Sequence, residues 1–156
     1  MSFVSHMNIA LEEARAAALR DEVPVGAVVV DATGAVLSQA GNRTRELSDP
    51  TAHAEILALR EASGKLGSER LEGASLYVTL EPCAMCAGAI AHARIARVYY
   101  GAADPKSGGV AHGARVFSHP QAHHRPDVYD GIAQDACAKI LKDFFAKRRA
   151  TPPDPA

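Results

Sequence analysis

The feature that most restricts the fold is a series of short apolar runs separated by segments with helical periodicity. The runs cover residues 25–30, 75–80 and 96–101 and are rich in β-branched and aromatic side chains. An apolar run of this length without polar alternation is typical of a strand buried on both faces. Strands that alternate with helices need crossover connections, so the chain is predicted to form an α/β fold with helices on both faces of a mixed sheet.

Four helices are predicted around these strands. The first begins near residue 7, and the second begins with Asp49 as N-cap and Pro50 at the first helical position. Gly64 is expected to end the second helix after about residue 63. The third covers about residues 82–93 and the last about residues 132–149. The predicted buried positions are Met7, Ala10, Leu11, Ala14 and Ala18 in the first helix, Ile56, Leu57 and Leu59 in the second, and Ala133, Cys137, Ile140, Leu141 and Phe144 in the last.

Two weaker strands complete a predicted sheet of about five strands. Residues 31–34 read Asp-Ala-Thr-Gly, which is typical of a turn, so residues 35–40 are predicted to return as a hairpin partner. A short edge strand is predicted within residues 121–129. We expect one domain over residues 1–150 and a disordered tail over residues 151–156, where prolines block both helix and strand.

Composition narrows the functional class. The 156 residues carry a net charge of −1, which argues against non-specific coating of nucleic acid but leaves room for a local basic patch. No apolar run is long enough to span a bilayer, and the N-terminal residues lack a secretory signal pattern. Three cysteines are too few for a disulfide scaffold, so reduced thiols and the cytoplasm are expected.

Two predicted helix starts carry residues that suit metal chemistry. His53 and Glu55 lie at one start, and Cys83 and Cys86 lie at the other. One imidazole and two thiolates give zinc three protein ligands and leave a fourth position open, as in catalytic sites. Backbone N–H groups at a helix start favour the thiolate form that binds metal. Glu55 lies close enough to act as a proton carrier without being a ligand.

Other interpretations of these residues stay open on spacing alone. A Cys-x-x-Cys at a strand–helix junction also occurs in thioredoxin-like redox pairs. A structural zinc site would need a fourth ligand, which His112, His119, His123 or His124 would have to supply. Cys137 falls on the apolar stripe of the last helix and is predicted to be a core residue.

His-x-Glu followed by Pro-Cys-x-x-Cys resembles the signature of the zinc-dependent nucleoside and nucleobase deaminases. The resemblance extends to the tRNA adenosine deaminases of bacteria and spans about residues 7–149. The segments that carry it are residues 22–28, Asn42, and residues 49–55, 80–90, 101–108 and 143–149.

The resemblance implies a three-layer α/β/α fold of the cytidine-deaminase type with one zinc ion per subunit. It implies that His53, Cys83 and Cys86 bind the zinc and that Glu55 shuttles protons while water attacks C6 of adenine. Adenosine at the wobble position of a tRNA anticodon would become inosine, and an arginine tRNA with an ACG anticodon is the expected partner. The resemblance also implies a homodimer.

The substrate contacts follow from the resemblance and from charge. By resemblance, Asn42 would hydrogen-bond the flipped nucleotide, and Asp104 and Lys106 would lie beside the substrate loop. The last helix is basic, with Arg148 and Arg149 near its end, and Phe145 lies off the apolar stripe where a base could stack on it. The alternative for this helix end is a solvated basic surface favoured by the helix dipole.

Two other functions remain open from the sequence. A deaminase of a free nucleobase such as guanine or cytosine would share the zinc chemistry without needing the basic helix. A zinc-stabilised binding module would need neither Glu55 nor the open position on the metal.

Overall fold

The computed structural model describes residues 3–150. One five-stranded sheet has the order β2-β1-β3-β4-β5. In chain order the elements are α1 (Met7–Leu19), β1 (Gly26–Val30), β2 (Val36–Gly41), α2 (Ala54–Leu66), β3 (Ser75–Leu80), α3 (Ala84–His92), β4 (Arg97–Ala102), β5 (Asp127–Tyr129) and α4 (Gln134–Ala150).

The sheet is mixed, as predicted. Strand β1 pairs antiparallel with both β2 and β3, whereas β3, β4 and β5 run parallel. Leu80 at the end of β3 pairs with Ala102 at the end of β4. The segments that follow these two strands therefore leave the sheet side by side, which is where open α/β sheets place their binding sites.

The sheet separates two hydrophobic cores, which confirms the three-layer α/β/α architecture. One core joins α2 and α3 to side chains such as Val29, Leu76 and Val98. The other joins α1 and α4 to side chains such as Val28 and Tyr77. The alternation between Val28 and Val29 shows why β1 is apolar without interruption, since both of its faces are covered.

The predicted start and end of the second helix are wrong. The Asp49 carboxylate accepts hydrogen bonds from the backbone N–H and hydroxyl of Thr51, at 2.8 and 2.7 Å, so it stabilises a local turn and not the helix. The N-cap is His53. Gly64 lies inside α2, and the helix ends at Gly67, whose φ of 64° is the left-handed conformation that glycine adopts without strain.

The predicted buried faces of the helices also need correction. Ile56 and Leu57 are only half buried, and α2 packs instead through Ala54, Glu55, Ala58, Leu59 and Ala62. Near the end of α1 the buried residue is Ala17, whereas the predicted Ala18 is only half buried. Ala133 lies before α4, exposed and at a φ of 54°. Cys137 and Phe144 are buried, as predicted, whereas Ile140 and Leu141 are only half buried.

The sequence predicts a short edge strand and a tail in the C-terminal third of the chain. The edge strand within residues 121–129 is confirmed as the short strand β5. The tail at residues 151–156 lies outside the described residues, and a single domain over residues 1–150 stays a prediction. Within residues 3–150, no helix is both long and apolar enough to cross a membrane.

Candidate active site

Two helix N-termini meet beside the end of β3. His53 is the N-cap of α2 and Cys83 is the N-cap of α3, and both have extended backbone conformations. Cys86 follows one turn into α3 and is buried. The backbone therefore enters a helix at His53 and at Cys83, and their side chains converge with that of Cys86.

The distances from the His53 nitrogen to the two cysteine sulfur atoms match those around a tetrahedral zinc ion. His53 Nδ1 lies 3.6 Å from Cys83 Sγ and 3.5 Å from Cys86 Sγ. With Zn–S distances of about 2.3 Å and Zn–N distances of about 2.0–2.1 Å, a tetrahedral angle separates N from S by about 3.5–3.6 Å. Within residues 3–150 these three form the one group of three or more candidate ligands close enough to share an ion.

The two thiols differ in their tendency to ionise. A hydrogen bond from Cys86, helped by one from His53, lowers the pKa of Cys83 to about 4. The pKa of Cys86 is raised because Cys86 donates that hydrogen bond and is buried. The hydrogen bond to Cys83 also raises the pKa of His53. This environment favours the thiolate form of Cys83, which is the form that binds metal. None of the three cysteines is joined in a disulfide.

Glu55 lies in the first turn of α2 and is 4% exposed. Burial is the main cause of its raised pKa. A carboxyl group with a raised pKa holds a proton more readily and can both accept and donate one during a reaction. The sequence places it two residues after His53, so it shares the site of the metal ligands.

A cavity of about 250 Å³ opens onto this group. His53, Glu55 and Cys83 line it, together with Asn42 and Asp104. The remaining lining residues are Val23, Val25, Thr44, Ala54, Leu80, Glu81 and Ser107. The cavity is slightly smaller than the range of about 300–1,000 Å³ that is usual for drug-sized ligands, so it suits a single base.

The structure separates the predicted substrate residues into two groups. Asn42 and Asp104 line the cavity, whereas Lys106 is exposed on the loop beside it. Phe145, Arg148 and Arg149 lie on α4, away from the cavity lining. Phe145 is 41% exposed.

Arg148 connects α4 to the loop that follows β2. Its Nη2 donates to Asp21 Oδ2 at 3.2 Å, and Arg45 Nη1 donates to the same oxygen at 2.8 Å. Arg148 also lies 5.2 Å above the centre of the Phe144 ring. The basic end of α4 and the loop that carries Thr44 to the cavity are therefore neighbours.

The histidines that a structural zinc site would need as a fourth ligand have other partners. His112 Nδ1 is 2.8 Å from Glu81 Oε1, and His124 Nε2 is 2.7 Å from the carbonyl oxygen of Ile95. His119 Nδ1 accepts a hydrogen bond from the backbone of Gln121, and His123 packs against the ring of His92. A four-ligand structural zinc site therefore has no support among the described residues.

Two buried carboxylates were missed by the sequence reasoning. Glu22 accepts the backbone N–H groups of Arg45 and Glu46, at 3.0 and 2.9 Å. Glu81 accepts backbone N–H groups from the loop after β4; burial opposes ionisation, but these hydrogen bonds and that of His112 lower its pKa. Both residues fall within the segments of the resemblance, but their role depends on contacts more than 20 residues away, which no local pattern reveals.

Comparisons with known proteins agree with this geometry. Residues 3–102 match the model of the cytidine and deoxycytidylate deaminase zinc-binding region. A tRNA-specific adenosine deaminase from Agrobacterium fabrum is 60% identical over 143 residues, which cover 92% of this chain and 93% of that protein.

Solved structures of deaminases are also similar to this chain. A structure from a study of A-to-I editing by tRNA:A34 deaminases at the wobble position is 61% identical, with a TM-score of 0.85 over 86% of this chain and 97% of that one. A guanine deaminase from Bacillus subtilis is 28% identical, with a TM-score of 0.62 over 97% of this chain and 99% of that one.

Proposed function

The chain belongs to the cytidine and deoxycytidylate deaminase family, and we propose that it hydrolyses adenosine to inosine at the wobble position of a tRNA anticodon. The reaction consumes water and releases ammonia. The observation that carries the proposal is a buried carboxylate, Glu55, beside a group of three zinc-ligand side chains, two of which line the same cavity as Glu55. The similarity to tRNA-specific adenosine deaminases selects the substrate.

Zinc is the cofactor, with one ion per chain. His53, Cys83 and Cys86 would hold it, and the match between their spacing and a tetrahedral zinc site supports this assignment. When bound, zinc supplies a Lewis acid that makes water a nucleophile near neutral pH.

Glu55 would move the protons of the reaction. Its carboxylate accepts a proton from the attacking water and passes it to a ring nitrogen of adenine, and it then assists the departure of ammonia. Burial supports this role, because it raises the pKa of Glu55 and so lets the carboxyl group hold a proton. Asn42 and Asp104, which line the same cavity, would bind the flipped nucleoside.

The surface around the cavity would bind the rest of the anticodon loop, with an arginine tRNA carrying an ACG anticodon as the substrate. Phe145 offers an exposed ring for stacking, and Arg148, Arg149 and Lys106 offer positive charge. The shared contact of Arg148 and Arg45 with Asp21 supports a continuous surface from α4 to the cavity. A tRNA substrate also makes the cytoplasm the expected compartment.

A homodimer is the proposed assembly. The outer side of α2 and α3 carries a groove whose apolar lining includes Ile56, Leu59 and Ala89, and Ile56 and Ala89 are only partly buried in the single chain. An apolar surface of this kind, left partly open in one chain, suits a contact with a second copy.

A deaminase of free guanine or cytosine is the second candidate, and the similarity to guanine deaminase supports it. The test incubates zinc-loaded protein with an arginine tRNA carrying an ACG anticodon and, separately, with adenosine, guanine and cytosine. Inosine at the wobble position with the free compounds unchanged is the expected result. Ammonia from a free base with intact tRNA would overturn the substrate and keep the zinc chemistry.

A truncation separates the two candidates independently. Removal of residues 147–156 takes away the basic end of α4 and leaves the metal ligands in place. The tRNA activity should be lost if α4 binds RNA. A free-base deaminase should keep its rate after the same truncation.

A further inference from the structure

The carboxylate of Glu81 has no part in the proton transfers described above, although it lies two residues before the zinc ligand Cys83. Its side chain is fully buried. A buried carboxylate is destabilising unless hydrogen bonds compensate its charge. All of the donors that satisfy this one come from a single loop, residues 104–112, which follows β4.

The hydrogen bonds reach both ends of that loop. Oε1 accepts the backbone N–H of Asp104 at 3.1 Å and lies 2.8 Å from Nδ1 of His112. Oε2 accepts the backbone N–H groups of Val110, Ala111 and His112, at 3.2, 3.1 and 3.1 Å. The carboxylate thus bridges the first residue of the loop to its last three.

Two glycines of the loop, Gly108 and Gly109, pack too closely against their neighbours to be replaced by a residue with a side chain. A Cβ added to Gly108 would lie 2.3 Å from Glu81 Oε2 and 2.5 Å from the carbonyl oxygen of Asp104. A Cβ added to Gly109 would lie 2.4 Å from the backbone nitrogen of Ala84. The loop is therefore packed closely against both the Glu81 carboxylate and the start of α3.

This position brings Asp104 and Ser107 to the wall of the cavity. Ser107 donates its backbone N–H to Asp104 Oδ1 at 3.0 Å, so this hydrogen bond joins the two residues in one turn. The hydrogen bond from Asp104 N–H to Glu81 Oε1 attaches that turn to the end of β3. A shift of the carboxylate would therefore displace this part of the cavity wall.

We infer that Glu81 is a positioning residue for substrate binding, which holds the loop of residues 104–112 as one wall of the nucleoside cavity. The inference rests on the proposed function for the identity of the substrate, but the hold on the loop does not depend on it.

The substitution Glu81→Gln tests the inference with little change in volume. The amide nitrogen cannot accept a hydrogen bond, so at least one backbone N–H of the loop loses its partner. We expect KM for the tRNA to rise about tenfold or more with kcat changed less than about threefold, and zinc to stay at one ion per chain. A tenfold change in binding corresponds to about 1.4 kcal/mol, which is the size expected for one buried hydrogen bond.

Hydrogen exchange supplies a readout that is independent of catalysis. In Glu81→Gln the amides of Asp104, Val110, Ala111 and His112 should exchange at least tenfold faster, whereas the amides of β1 and β3 should keep their rates. The matched control is Glu72→Gln, since Glu72 is an exposed carboxylate that pairs only loosely with Arg70, at 3.9 Å. The control should change neither KM nor the exchange of the loop.

A second variant guards against misfolding of the first. Gly108→Ala disturbs the loop directly, because the added Cβ would press against Glu81 Oε2, and it leaves the carboxylate chemically unchanged. If both residues act through the loop, the effects of Glu81→Gln and Gly108→Ala on log KM should be less than additive in the double variant. Additive effects, a fall in kcat with unchanged KM, or unchanged loop exchange would each overturn the inference.

Failure of the proposed function would look different. If the wild-type protein deaminates a free base and leaves tRNA intact, the same KM comparison applies to that base. If the wild type deaminates none of the substrates, the exchange rates of the loop still decide whether Glu81 holds it.

Discussion

The substitution Glu55→Gln gives the most direct test of the proposed chemistry. Glutamine has nearly the same shape but can neither take up nor release a proton at neutral pH. Glu55 is 4% exposed, so bulk water has little access to replace its carboxylate. General acid–base groups contribute about 10²–10⁴-fold in rate, which corresponds to about 2.7–5.4 kcal/mol at 1.36 kcal/mol per factor of ten. We expect kcat for inosine formation to fall within or beyond this range.

Zinc content and thermal stability should not fall with the rate. Glutamine removes a charge whose burial raises the pKa of Glu55, so the melting temperature should be equal to or above that of the wild type. Single-turnover inosine formation, zinc analysis and thermal melting would be measured on the same preparation. Glu61→Gln is the matched control, because Glu61 lies exposed on the same helix and pairs with Lys65 at 3.3 Å.

Three results would refute this reasoning about Glu55. A variant that keeps zinc and more than about a tenth of the wild-type rate would show that another group moves the protons. A variant that loses zinc would show that Glu55 supports the metal. A wild-type protein that binds zinc but deaminates nothing, with Glu55→Gln indistinguishable from it, would favour the zinc-stabilised binding module.

Three further predictions concern the thiols, the basic helix and the core. In the zinc-free protein the pKa of Cys83 is about 4. Iodoacetamide should therefore label Cys83 at a nearly constant rate from about pH 8 down to about pH 5. The labelling of an ordinary thiol would slow about tenfold for each pH unit over the same range. Arg149→Ala should reduce the slope of log affinity for tRNA against log salt by about 0.7. Arg148→Ala should change that slope less, because Arg148 already pairs with Asp21. Equal slopes in both variants and the wild type would show that these two arginines do not contact the RNA. Gly101→Ala should destabilise the fold by about 1–3 kcal/mol in urea unfolding, since the new Cβ would lie 2.3 Å from Cys137 Sγ, and unchanged stability would contradict the packing.

The parts of the site that the sequence predicted are those with local signals. His53 and Glu55 are two residues apart, and Cys83 and Cys86 are one helical turn apart, so each pair could be recognised by spacing. Zinc chemistry then required the two pairs to meet, and the distances from His53 Nδ1 to the two sulfur atoms agree with that requirement.

The parts that were missed depend on distant contacts or on competing local bonds. The role of Glu81 follows from donors 23 to 31 residues later, which depend on how the loop after β4 folds back. Asp49 has the composition of an N-cap, but its carboxylate binds Thr51 and the helix begins later. Ile56 and Leu57 are apolar yet half buried, because the small residues of α2 allow that helix to approach the sheet closely through its other side.

The division of the molecule into two cores bears on how such enzymes acquire new substrates. The zinc ligands and Glu55 belong to α2 and α3 on one face of the sheet, whereas α4 packs on β3, β4 and α1 at the other face. Exposed residues of α4 can therefore change one at a time, with the catalytic centre intact at every step. If α4 binds RNA, as proposed, substitutions on its exposed face would alter the choice of nucleic acid while the zinc ligands and Glu55 keep their positions on the opposite face of the sheet.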